Sequence, residues 1–196
     1  MASPELRRYS SEMIRESILA AGVLINGHFV FADGDHSFNK LEMDNLWDHP
    51  NQLALILHAL AAAESLPEAD VLIGVPSGGQ RLVTTMHELG FDERPIAWLE
   101  RIPDGRKQDF RFRAKADREL ALSASSPRII EDVVTTLSSV AGAVRLLRPD
   151  VQEIHALAIW RRGKAKPQYS TGFTAHYLIE EELPTYSPEE CPVHRK

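Results

Sequence analysis

The chain has 196 residues, 43% of them hydrophobic and 26% charged, a size and composition that suit one α/β domain with a small subdomain and exclude disordered, collagen-like and fibrous classes. A net charge of −6 argues against a general binder of nucleic acid or anionic membrane, which needs a positive field. The apolar run 53–63 is too short to span a bilayer and is broken by His58, no signal-peptide order opens the chain, and the single cysteine, Cys191, permits neither an internal disulfide nor a cysteine-rich zinc site, so a reducing, cytoplasmic setting is expected.

In chain order, Ser3-Pro4-Glu5 reads as a cap with proline in the first turn, and Leu6, Tyr9, Met13, Ile14 and Ile18 keep helical spacing up to Gly22. Residues 23–32, with Asn26-Gly27 inside and Asp33-Gly34 after, predict two short strands and a turn in an accessory sheet. Asp48-His49-Pro50 opens a helix through about Glu64, and Pro67 marks its exit. Residues 71–75 form a short buried strand that enters Pro76-Ser77-Gly78-Gly79, and Leu82, Val83, Met86 and Leu89 then mark a helix. After the apolar run 95–100, residues 101–118 are polar and basic, which predicts a mobile loop with a short hairpin. Arg128–Ile130 is a strand ending at Glu131-Asp132, followed by a turn and a helix carrying Val140, Val144, Leu146 and Leu147. Residues 154–160 make a last core strand, and the alternation of strand and helix predicts a mostly parallel sheet covered on both faces.

In such sheets ligands bind where strands end and helices begin. The turn RIIEDVVTTLSS, residues 128–139, places two carboxylates before two threonines and two serines. Carboxylates accept hydrogen bonds from vicinal sugar hydroxyls, while hydroxyls and successive amides donate to phosphate oxygens, so the pattern suits a phosphorylated pentose. The alternative is an acid pair that merely leaves the strand with Thr135 as an ordinary helix cap.

Residues 128–139 resemble the phosphoribosyl-pyrophosphate signature of type I phosphoribosyltransferases. Further stretches are similar to the orotate phosphoribosyltransferase branch: NGHFVFADGDHS at 26–37, GVPSGG at 74–79, WLER at 98–101, AIWRRG at 158–163 and LPTYSPEECP at 183–192. The resemblance implies a type I phosphoribosyltransferase fold in one domain over 1–196, with a core at about 48–165 and a hood from about 20–47 and 166–196. It implies that Glu131 and Asp132 hold the ribose hydroxyls and that Val133, Val134, Thr135, Thr136, Leu137, Ser138 and Ser139 enclose the 5-phosphate. Ser77, Gly78 and Gly79 match the pyrophosphate-side loop, and Thr135, Arg162 and Phe29 match the orotate site. Asp132, Arg101 and Lys107 are the candidate catalytic groups, within a basic loop that also has Arg106, Arg111, Arg113 and Lys115. The implied reaction joins orotate to phosphoribosyl pyrophosphate, giving orotidine 5′-phosphate and pyrophosphate. Magnesium is carried by the substrate without direct protein ligands, and the implied assembly is a homodimer.

The sequence departs from the family pattern in places. The usual Thr-Thr-Gly-Gly-Ser turn reads Thr135-Thr136-Leu137-Ser138-Ser139. Leucine makes a positive φ costly by roughly 1–2 kcal/mol, so the turn keeps its amide donors if Leu137 holds negative φ with its side chain outward. Trp160-Arg161 replaces an apolar residue and an aspartate, setting a positive neighbour beside Arg162, and Cys191 lacks the second cysteine often seen in this tail. His28 and His36 read as surface or turn residues, His155 and His176 as strand residues, and Trp47, Trp98 and Trp160 as core or edge residues. Two other readings stay open: transfer to another base, and a non-catalytic binder of a nucleotide or sugar phosphate.

Overall fold

A computed structural model describes residues 9–31, 34–62, 66–151 and 153–193. The first helix in it, α1 (Ser11–Ala20), is capped by Ser10, whose hydroxyl accepts the Met13 N–H at 3.1 Å. The helix start expected at Ser3-Pro4 lies outside the described residues. Next come β1 (Leu24–Val30) and β2 (His36–Leu41), an antiparallel pair running from Leu24↔Leu41 to Val30↔His36. Asn26-Gly27 is not the turn. It lies inside β1, where the register slips between Asn26 and Phe29, and the reversal falls further on, closed by Phe31 N–H to Asp35 O at 2.8 Å, with Gly34 at φ +90°. A turn at Asn26-Gly27 would leave strand stubs too short to pair, whereas a bulge lets the strand continue.

A 3-10 turn (Met43–Asp48) leads to α2 (Pro50–Ala61), which has Pro50 in its first turn as expected. The remaining elements are β3 (Val71–Gly74), α3 (Gly78–Glu88), β4 (Leu99–Arg101), β5 (Phe110–Phe112), α4 (Lys115–Ser123), β6 (Pro127–Val134), α5 (Ser138–Val144), β7 (His155–Arg161), β8 (Thr174–Glu180) and β9 (Thr185–Tyr186). The central sheet has the order β3-β6-β7-β8 with every pair parallel. Its strands are apolar on both sides because both faces are covered. Leu72, Ile130, Leu157 and Ile159 pack with α1, α2 and α3, and Val71, Ile73, Ile129 and Ala156 pack with α4 and α5. β4 and β5 form a separate hairpin, and β1-β2-β9 form the small hood sheet.

Two elements differ from the sequence reading. The strand at 154–160 is not the last of the core, since β8 adds an edge strand from a stretch assigned to the hood, leaving Thr185–Tyr186 as the part of that stretch that pairs with β2. Residues 115–123, of which 115–118 were read as the end of a basic loop, form α4. Its polar sequence hides the helical period, and its start is fixed by tertiary contact: the buried Asp117 carboxylate accepts the Ala114 N–H at 2.9 Å and the Trp98 N–H at 3.0 Å.

Trp160 is fully buried in the core and donates its indole N–H to Glu181 O at 2.8 Å. Trp160→Ala is expected to cost about 3–5 kcal/mol, read as a lowered urea midpoint at unchanged slope. A midpoint equal to the parent's would contradict this packing.

Candidate active site

The parallel sheet brings three chain exits to one edge: Val75-Pro76-Ser77 after β3, Thr135-Thr136-Leu137 after β6, and Arg162-Gly163 after β7. The acid pair does not end its strand as the sequence suggested. β6 continues through it to Val134, with Glu131 paired to Ala158 and Val134 to Arg161 of β7, so the ladder fixes where the acids stand. Glu131 is buried, and its Oε1 accepts the Asp132 N–H at 3.2 Å; Asp132 Oδ1 accepts the Val133 N–H at 2.7 Å. Burial first, and the neighbouring Asp132 carboxylate second, push the Glu131 carboxyl well above the usual range, with Lys107 partly offsetting them. Side by side on the strand, the two carboxyl groups can bond a pair of sugar hydroxyls.

The Ser77–Gly79 loop lies flush against these acids. A Cβ on Gly78 would fall 2.0 Å from Asp132 Oδ2, and one on Gly79 would fall 2.0 Å from Ile130 O. The glycines are therefore demanded by the protein's own packing, in addition to the ligand access read from the sequence. The Pro76–Ser77 peptide is cis.

Leu137 takes the conformation that the sequence argument set aside. Its φ is +68°, left-handed, and its side chain turns inward into the core with Val134, Val140 and Ala158. The strain of about 1–2 kcal/mol is outweighed by burial of a leucine side chain, worth about 1.5–3 kcal/mol. The turn thus holds a left-handed torsion of the kind glycine adopts readily, and the side chain is spent on the core instead of filling the cleft mouth. The cleft is open to solvent, with a cavity volume of about 50 Å³, and is lined by Lys107, Glu131, Val133, Val134, Thr135, Thr136, Leu137, Ser138, Ser139 and Val140. Within it, the Thr136 hydroxyl donates to Ser138 Oγ at 3.1 Å.

The basic segment is sorted by the hairpin. Arg101 donates to Lys107 O at 2.5 Å and to Pro76 O, tying the hairpin to the glycine loop. The hairpin tip seats on α5 so closely that a Cβ on Gly142 would fall 2.2 Å from Gln108 O. This seat puts Lys107 on the cleft. The other cations are engaged elsewhere: Arg106 with Asp109, Arg111 with Glu100, Arg113 over Trp98, and Lys115 with Glu119 on α4.

Arg162 is buried beyond β7, its N–H bonded to Val134 O at 2.9 Å. The next residue, Gly163, is so close to Thr135 that a Cβ would meet Thr135 Cγ2 at 2.8 Å, which brings Thr135 and Arg162 to one place. Arg161 turns away, paired with Glu180 at 2.5 Å and set over Tyr177, so its charge is balanced apart from Arg162. The aromatic ring set against the Arg162 guanidinium is Phe31, at 4.9 Å, while Phe29 stands on β1 opposite Ser37. Phe31 was missed, although residues i and i+2 share a strand face and so flag it beside Phe29.

This architecture is that of the type I phosphoribosyltransferases. The fold matches the crystal structure of orotate phosphoribosyltransferase from Aeropyrum pernix with a TM-score of 0.67 at 19% identity, covering 86% of this chain and 93% of that one. A phosphoribosyltransferase from Corynebacterium diphtheriae matches at 0.60 and 15% identity, covering 87% and 95%. No protein-family model matches the chain. Among curated proteins, the orotate phosphoribosyltransferase of Chlorobium phaeobacteroides is 30% identical over 176 residues, covering 89% of this chain and 85% of its own length. That of Thermotoga maritima is 25% identical over 182 residues, covering 92% and 91%. The chain belongs to the orotate phosphoribosyltransferase family.

Two outcomes follow from the site's energetics. Leu137→Gly removes strain of about 1–2 kcal/mol but also burial and packing worth about 2–5 kcal/mol, so the variant should be less stable by about 1–3 kcal/mol in urea unfolding; a stabilised variant would show that strain dominates. Because folding raises the Glu131 pKa, the folded state holds the proton more tightly, and stability falls as pH rises from the ordinary value of 4.5 through the raised one. Glu131→Gln should flatten that decline, so its melting temperature relative to the parent should improve from acid to neutral pH; parallel profiles would contradict the upward shift of the buried carboxyl.

Proposed function

We propose that the protein transfers the 5-phosphoribosyl group from phosphoribosyl pyrophosphate to orotate, forming orotidine 5′-phosphate and pyrophosphate in pyrimidine nucleotide synthesis. Family membership supports the substrates, and one observation carries the reading: an acid pair locked in a central strand, followed at once by a turn of amides and hydroxyls, with a glycine loop packed on the same acids.

In this reading the 5-phosphate lies in the cleft of Thr135, Thr136, Leu137, Ser138 and Ser139, held by amides and hydroxyls. Glu131 and Asp132 hold the ribose hydroxyls beneath it. Pyrophosphate lies toward Ser77, Gly78 and Gly79, with Lys107 and Arg101 balancing the charge that develops as it leaves. Magnesium enters with the pyrophosphate as part of the substrate, and the Asp132 carboxylate pressed against Gly78 gives that end of the site the hard oxygen chemistry that suits it. The base enters beside Thr135, its carboxylate facing Arg162 and its ring beneath the hood, to which Phe29 and Phe31 belong. The orotate ring nitrogen then bonds to the anomeric carbon as the bond from that carbon to pyrophosphate breaks, and the proton of the ring N–H passes to the departing pyrophosphate. Positive charge on the sugar in the transition state is shielded from water by the hood and hairpin. A homodimer working in the cytoplasm is part of this reading and rests on the family resemblance.

The direct test follows pyrophosphate release with magnesium, phosphoribosyl pyrophosphate and a panel of bases. Release with orotate alone supports the assignment; release with another base moves the specificity, and ligand binding without release for any base overturns catalysis. Asp132→Asn should weaken phosphoribosyl pyrophosphate binding by about 10–100-fold, the loss of charge-assisted hydrogen bonds worth about 1.5–3 kcal/mol, with the fold retained. Arg162→Ala should raise the KM for orotate by a similar factor and leave that for phosphoribosyl pyrophosphate in place; equal effects on both substrates would contradict its role.

A further inference from the structure

The hood holds a side-chain cluster that the transfer reaction does not use. His28 from β1, His36 from the start of β2 and Cys191 from the C-terminal segment each offer one donor atom, all within 4.8 Å of one another. His28 Nε2 lies 3.0 Å from His36 Nδ1 and 3.3 Å from Cys191 Sγ. His36 and Cys191 are buried, and the three residues come from segments up to 163 positions apart in the chain.

We propose that this cluster is a binding site for zinc or a similar divalent transition-metal ion that fastens the N-terminal hairpin to the C-terminal segment. Two imidazole nitrogens and one sulfur are a donor set suited to zinc, whose bonds of about 2.0–2.1 Å to nitrogen and 2.3 Å to sulfur hold tetrahedral donors about 3.3–3.6 Å apart. The two separations from His28 Nε2, 3.0 and 3.3 Å, need to open by only a few tenths of an ångström to reach that spacing, and the third pair already lies within 4.8 Å.

A hydrogen-bonded chain without metal fits less well. A ring nitrogen offers one N–H or one lone pair, yet His28 Nε2 has two neighbours at bonding distance, whereas a cation among the three atoms engages all of them together. On binding, the Cys191 thiol gives up its proton and the imidazoles bind as neutral rings. A fourth tetrahedral position remains for water or another donor.

Neighbouring contacts agree with a fastening role. His36 pairs with Tyr186 of β9, and the Ser37 hydroxyl donates to Pro184 O at 2.7 Å, so the same two segments already meet beside the cluster. The single cysteine, which alone builds no site, gains its partners only through the fold. The proposal does not rest on the transfer reaction.

The full chain, stripped with chelator and titrated with cobalt(II), tests it. One equivalent per chain is expected to give a thiolate-to-cobalt charge-transfer band with tetrahedral visible absorption, and zinc should displace it. Zinc should also raise the melting temperature and protect Cys191 from a thiol reagent in the otherwise unmodified protein. Cys191→Ser should abolish the charge-transfer band, and His36→Ala should weaken zinc binding by about tenfold or more. Absence of the cobalt–thiolate band in the parent protein would overturn the proposal. Equal zinc affinity in a folded variant carrying His28→Ala, His36→Ala and Cys191→Ser would also overturn it.

Discussion

The close approach of Gly78 and Gly79 to β6 is the contact on which the cleft depends. Side chains at those positions would strike the Asp132 carboxylate and the Ile130 carbonyl 2.0 Å away, so any larger residue would force the β3 exit loop off the central strand. With the glycines in place, two loops from adjacent parallel strands share one edge, and acids held by the β6–β7 ladder lie between them. The hairpin joins this arrangement through Arg101, which bonds to Pro76 O beside the glycine loop and to Lys107 O at the cleft. Glycine loop, acids and Lys107 are therefore placed by one chain of contacts instead of three independent ones.

Leu137 shows how a pattern can be broken in sequence and kept in shape. Glycine in such a turn provides left-handed torsions without strain. Here the same torsion, φ +68°, is held by a residue whose side chain reaches the core, so tertiary packing supplies what the missing glycine does not. Read from the sequence, the amide donors depend on negative φ and an outward side chain, which leaves out core packing of an inward one. A left-handed leucine is unfavourable in an exposed turn and acceptable where the core has room for its side chain.

Local signals made much of the molecule legible. The strand-turn-helix runs at 71–88 and 128–144 carry both chemistry and periodicity, and they gave the parallel sheet and the candidate phosphate turn. What stayed hidden depends on contacts remote in sequence. α4 starts where Asp117 caps Ala114 and reaches Trp98, and a polar helix without that contact reads as a loop. The edge strand β8 pairs with β7 along Thr174–Glu180; His176 was read in or beside a strand, but the half-buried pattern around it does not mark a core strand until its partner is known. His28, His36 and Cys191 were read one at a time as turn, surface and solitary residues, because nothing local says that a C-terminal cysteine returns to the first hairpin.

The hood also shows why the two ends of the chain matter to a site built in its middle. β8 ends at Glu180, and the residue after it, Glu181, accepts the Trp160 indole with its backbone and the Arg15 guanidinium with its side chain, joining α1, β7 and the start of the C-terminal segment. That segment then runs to β9, pairs with β2, and brings Cys191 under the hairpin whose far end carries Phe31 over Arg162. Movement of the hairpin therefore changes the cover of the Arg162 guanidinium, and anything that stiffens the junction between hairpin and tail limits that movement. The Arg162 surroundings and hood order are in this way coupled through one short sheet, although no residue of the His28 cluster lines the cleft of Glu131 and the turn at 135–139.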